Sequence, residues 1–131
     1  MAVPANRRSE SKFEVLLQTR SLAVYTATIT ANEKVFPPQH KWMADKLNNT
    51  AHDIFMLCWE ANGLLLSDLK QRERRKQLQK YAIVQCNNLS AEIYLAHTLY
   101  HLRGQRVYYW QDKIDSAKTL IQKWIESDSK R

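Results

Sequence analysis

Glycine occurs only twice and proline three times in 131 residues. So little turn chemistry excludes a fold of many short strands and leaves a few long helices. Cysteine is also scarce, and both Cys58 and Cys86 fall on apolar stripes, where a thiol behaves as a small hydrophobe. That usage fits a reducing cytosol rather than a cysteine-rich secreted scaffold. Long apolar runs are missing. None approaches the roughly 20 residues that span a bilayer, and the opening Met-Ala-Val-Pro-Ala-Asn-Arg-Arg has no continuous apolar stretch of the signal-peptide kind. These absences predict a cytoplasmic protein, neither secreted nor membrane-embedded. Acidic residues are the minority, 13 against 20 lysines and arginines, for a formal charge of +7.

What is present is a chain of one-domain length whose 44% hydrophobic content is enough for a core that needs no metal or disulfide. Residues 1–11 are polar and aperiodic and read as a flexible N-terminal arm; residues 12–128 read as a single domain and 129–131 as a short tail. Helix one is expected from about Lys12 to Glu33, with Leu17, Ser21, Val24, Thr28 and Ala31 spaced by three and four, and Phe13, Leu16 and Ile29 widening the stripe. Pro37-Pro38 then breaks the chain direction. Helix two is expected from about Gln39 to Leu66 on Leu47, Ala51, Ile54, Cys58, Ala61 and Leu65, and Ser67-Asp68 supplies an N-cap for helix three. Helix three, from about Asp68 to Leu102, turns Leu78, Ala82, Cys86, Leu89, Ile93, Ala96 and Tyr100 inward, with Gly104 as the residue just past its end. Helix four, from about Gln105 to Ser127, repeats Val107, Trp110, Ile114, Ala117, Ile121 and Trp124. The fold class expected is all-α, an antiparallel up-down-up-down four-helix bundle.

Two features exceed what one small bundle needs. The first is Ile54-Phe55-Met56-Leu57-Cys58-Trp59, which makes helix two apolar nearly all the way round. Such a helix has to be covered on more than one side, so Phe55, Met56 and Trp59 are candidates for an oligomer interface. The competing reading packs them beneath a neighbouring helix of the same subunit. The second feature is charge. Lys70, Arg72, Arg74, Arg75, Lys76 and Lys80 stand against Glu73 alone, a net +5 within residues 70–80. Arg72, Lys76 and Lys80 repeat every four residues, about 6 Å apart along one face, and Arg74 and Arg75 flank them. A focused basic face attracts polyanions, and arginine can grip phosphate bidentately. The alternative is a solvated face that only keeps the chain dispersed. Arg103, Arg106 and Lys113 with Tyr108 and Tyr109 form a second basic and aromatic group, of the kind phosphates and unstacked bases use, or simply a packing cluster.

Catalytic chemistry has little to stand on. His97 and His101 share a face at i, i+4, but no carboxylate supports them and no His-Glu-x-x-His pattern exists. A di-metal carboxylate site needs Glu-x-x-His, whereas Glu60 is followed three residues later by Gly63 and Glu92 by Leu95. His52 and Cys58, six apart on one helix, lie on different faces and make no nucleophile–base pair. There is no glycine-rich phosphate loop. The expectation is a non-enzyme without metal or cofactor.

A resemblance then sharpens the reading. Phe36-Pro37-Pro38-Gln39-His40-Lys41-Trp42, the run Lys46 to Ile54 and Glu60-Ala61-Asn62 resemble the second-helix signature of small bacterial four-helix proteins of the accessory variability determinant (Avd) type. Arg74-Arg75-x-x-Leu78-Gln79, Cys86, Leu89, Tyr109-Trp110 and Leu120-Ile121-x-x-Trp124-Ile125-x-Ser127-Asp128 are similar to the same family, over about residues 12–128. Its relatives include four-helix proteins encoded in intervening sequences of large-subunit ribosomal RNA genes. The resemblance implies a non-catalytic accessory subunit of a diversity-generating retroelement, assembled as a basic homopentameric barrel that binds the reverse transcriptase and the template-repeat RNA. It carries Arg74, Arg75 and Lys76 over as RNA or polymerase contacts. The alternative is a ribosome-associated or other protein-interaction module with a basic surface.

Overall fold

The computed structural model describes residues 5–131, with side chains from Glu14 onward. Four helices make up nearly all of it: α1 (Ala5–Ala31), α2 (Lys41–Asn62), α3 (Leu69–Tyr100) and α4 (Gly104–Ser129), with one 3-10 turn at Pro38–His40 and no strand among the described residues. Residues 1–4 of the expected arm lie outside the described residues, and α1 takes in the rest of it.

Local chemistry sets the boundaries. Beyond α1, the Asn32 carbonyl accepts from the backbone N–H groups of Val35 and Phe36, and its side chain accepts from Lys34 N at 3.0 Å. Pro37 is extended and Pro38 opens the 3-10 turn, where a missing N–H costs nothing. Asp68 caps α3 as expected, its carboxylate accepting from Lys70 N and Gln71 N at 3.0 and 3.1 Å. The far end of α3 departs from expectation. His101 takes the left-handed position, at φ 53°, and Gly104 is the first residue of α4 rather than the helix stop.

Each helix packs on the next and α1 closes the ring against α4, while the diagonal pairs make no close backbone approach among the described residues. The registers run in opposite directions at three of these contacts. Thr50 meets Glu92 and Asp53 meets Gln85 between α2 and α3; Ser90 meets Gln111 and Gln79 meets Asp128 between α3 and α4; Thr26 meets Trp110 and Ser21 meets Lys113 between α1 and α4. The arrangement is therefore an antiparallel bundle. Its core is filled by the α2, α3 and α4 stripes expected from the sequence, with Leu47, Ile54, Leu89, Ile93, Trp110, Ile114 and Ile121 fully enclosed.

The stripe on α1 is different from the expected one. Val15, Thr19, Leu22, Thr26 and Thr30 face the core, while Val24 is 60% exposed and Thr28 and Ala31 lie outside. Threonine can be buried here because its hydroxyl donates back to the carbonyl four residues earlier: Thr19 to Val15, Thr26 to Leu22 and Thr30 to Thr26, each at 2.8 Å. Two of these hydroxyls also accept across the core, Thr26 from Trp110 Nε1 at 3.1 Å and Thr30 from Asn48 Nδ2 at 2.6 Å. Leu65 likewise departs from its stripe, lying beyond the end of α2 and 58% exposed.

Candidate nucleic-acid interface

The first three turns of α3 carry the basic run, and its arginines and lysines have divided roles. Arg75 is only 2% exposed. Its Nε and Nη2 donate to the two carboxylate oxygens of Asp128 at 2.7 and 3.0 Å, and its Nη1 donates to the Leu64 carbonyl at 3.1 Å. The guanidinium lies 5.0 Å from the Trp124 ring centroid, and Gln79 Nε2 donates to the same carboxylate at 2.9 Å. Arg75 is thus a buried tie between the α2–α3 connection, α3 and the end of α4, not the surface contact expected from the sequence. A charge this deep is tolerable only with such full pairing.

Arg72 is likewise committed. Its Nη2 donates to the Asp128 carbonyl at 2.8 Å and its Nη1 to the carbonyls of Arg131 and Leu66 at 3.3 and 3.4 Å. A cation there complements the negative end of the α4 dipole. Of the expected face, Arg74, Lys76 and Lys80 remain exposed, and no ion pair occupies them among the described residues. Lys76 borders a groove of about 310 Å³ between the start of α3 and the end of α4, with Arg72, Glu73 and Ile125 along it.

The second basic group sits at the opposite end of the bundle, because α3 rises about 36 Å between Lys76 and Tyr100. Arg103 is exposed at the start of α4. Arg106 is half-buried near Tyr25, whose hydroxyl pKa is raised by burial and partly lowered again by that guanidinium. Lys113 is not a free contact. Its Nζ donates to Ser21 Oγ at 2.9 Å and lies 5.8 and 5.5 Å from the rings of Tyr25 and Tyr109. The Tyr25 and Tyr109 rings meet edge to face at 5.1 Å, so this cluster first of all fastens α1 to α4.

Along α2, Met56 and Trp59 project outward, Trp59 at 59% exposure, and Phe55 is half-buried with its ring 6.0 Å from that of Trp59. Sequence periodicity missed what lies beside them. Tyr81 of α3 shares a groove of about 500 Å³ with Met56, Leu57 and Trp59, and Val84, Leu95, Leu99 and Trp42 are exposed as well. The signal was present as apolar residues on α3 that fall outside its inward stripe. His101 is exposed at the α3 cap, and no group of three His, Cys, Asp or Glu converges among the described residues. No helix of the described residues is long and apolar enough to cross a membrane.

Fold and surface together define a four-helix protein with open cations at both ends and an exposed apolar strip along α2 and α3. The chain matches no protein-family model, no curated protein and no solved structure.

Proposed function

We propose that this chain is a non-catalytic, RNA-binding accessory subunit of a diversity-generating retroelement, which holds template-repeat RNA and the reverse transcriptase together during mutagenic cDNA synthesis in the cytoplasm. The observation that carries the RNA part is the set Arg74, Lys76 and Lys80, exposed and without a carboxylate partner among the described residues, on a chain of charge +7. Arg103 extends the cationic surface at the far end. Phosphate binding by such side chains releases counterions, so affinity falls steeply with salt. The retroelement assignment rests on the sequence resemblance. The exposed Met56, Trp59 and Tyr81 support homo-oligomerisation, as a pentamer if the resemblance holds.

The test is the double variant Arg74→Glu with Lys76→Glu, measured for binding to a structured RNA over a range of salt. Both side chains point to solvent, so helicity is expected to stay at the wild-type level. Affinity drops, and the slope of log affinity against log salt shallows by roughly 1.4 to 1.8, the share of two phosphate contacts. Unchanged binding would remove this face from the function.

A second reading, a protein-interaction module whose basic surface meets an acidic partner, is favoured by the apolar strip. Tight binding to one protein together with a shallow RNA salt slope would select it.

A further inference from the structure

Helix α3 is apolar on two opposite sides. One side fills the core, and on the other Tyr81, Val84, Asn88, Ala91, Leu95 and Thr98 recur at alternating steps of three and four. This is the heptad spacing by which two helices pair, sustained over about 26 Å of helix. All six residues are exposed, Tyr81, Val84 and Leu95 by about half. Helix α3 reaches α2 through Gln85 and Glu92 and α4 through Gln79 and Ser90, so the seam runs along its outer side. The two polar members already have partners: Thr98 Oγ1 donates back to the Tyr94 carbonyl at 3.1 Å, and Asn88 Nδ2 donates to Gln85 Oε1 at 2.8 Å.

The seam is complementary to its own reverse. Two copies of α3 laid antiparallel about a two-fold axis between Asn88 and Ala91 set Tyr81 against Thr98, Val84 against Leu95 and Asn88 against Ala91. The first and last of these layers put a larger side chain against a smaller one, and the middle layer joins two aliphatic ones. A single polar layer, here beside the axis, is a device that pins register. Charge selects the same direction. A parallel pair would bring the basic turns from Lys70 to Lys80 of both copies side by side, whereas the antiparallel pair sends them to opposite ends. It also brings Leu99 of the second copy, itself about half exposed, level with the groove of about 500 Å³ between Met56, Trp59 and Tyr81. We infer that the outer face of α3 binds a second copy of this chain, antiparallel and two-fold, through this seam. The inference rests on the self-association proposed above, to which it gives a surface and a direction, and not on RNA binding. A two-fold contact joins subunits in pairs; a five-membered ring would need further, head-to-tail contacts.

The test uses the full chain carrying Val84→Cys or Leu95→Cys, treated with a short bis-maleimide under native conditions. Both positions are exposed, so far-UV circular dichroism should remain at the wild-type level. The native Cys58 and Cys86 are buried and do not compete. In the antiparallel pair like positions lie about 16 Å apart along the helix, while position 84 of one copy meets position 95 of the other. Covalent dimers are therefore expected from a mixture of the two variants, tenfold or more above either variant alone. Leu95→Glu should also raise the concentration of half-assembly at least tenfold by light scattering, and Tyr108→Glu, on α4, should leave it unchanged. Equal cross-linking within each single variant overturns the antiparallel pairing. An oligomer by mass whose mixed variants do not cross-link overturns the surface but leaves self-association standing. A monomer at every concentration overturns both and gives the seam to a helix of another protein.

Discussion

Cys58 and Cys86 face each other's helices from inside the core, and burial pushes both thiols up to about 12. A thiolate is the reactive form, so neither cysteine can act as a nucleophile in the folded state. Accordingly, an aromatic disulfide reagent should label neither thiol in the native protein and both in denaturant; rapid native labelling would show that the core opens. Glu92 gives the clearest pH dependence. Its Oε1 accepts from Thr50 at 3.0 Å, whereas its Oε2 is shielded without a partner, and burial raises its pKa despite the Thr50 hydrogen bond and the nearby Lys46. The folded state thus holds this proton more tightly than the unfolded chain, whose value is 4.5. Its contribution is fully present below that pH and is lost as pH rises through the folded pKa. Glu92→Gln should therefore raise Tm at pH 7, with the gain vanishing as the pH falls below 4.5. A variant less stable than wild type at pH 7 would contradict this account of the site.

At the scale of elements, the Arg75–Asp128 tie determines how the end of α4 meets the α2–α3 connection. Removing one member leaves a buried charge uncompensated, so Asp128→Ala should cost about 3 to 5 kcal/mol in chemical denaturation. Arg75→Met with Asp128→Leu should cost less than either single change, because no orphaned charge remains; a double variant worse than both would mean that the hydrogen bonds to Leu64 and Gln79 matter more than the pairing itself. This tie also shows what the sequence concealed. Arg75 sits in a run of cations that reads as surface, and only Asp128, 53 residues away, makes its burial possible. Helix α4 was legible because large apolar residues repeat without interruption from Val107 to Trp124. Helix α1 was not, because hydropathy selects Leu17 and Val24, whereas its inward stripe is largely threonine whose polarity is cancelled by its own backbone. The α3–α4 corner was misread for a related reason. Glycine is the usual left-handed residue, yet His101 adopts that conformation and Gly104 begins the next helix.

Across the whole molecule, antiparallel packing separates what the sequence presents as neighbouring cationic clusters, putting Arg74, Lys76 and Lys80 at one end and Arg103 and Arg106 at the other. Roughly half of the expected contact residues stay open to a polyanion; Arg75, Arg72 and Lys113 hold the bundle together instead. The exposed strip of Met56, Trp59 and Tyr81 adds a surface suited to another subunit, and assembly would place several basic ends on one particle, where their phosphate contacts act together. The direct measurement is the particle mass by light scattering, at low and high salt, with and without a structured RNA. The account predicts an oligomer that Trp59→Glu dissociates and that forms a larger complex with RNA at low salt only; a monomer indifferent to RNA would contradict it.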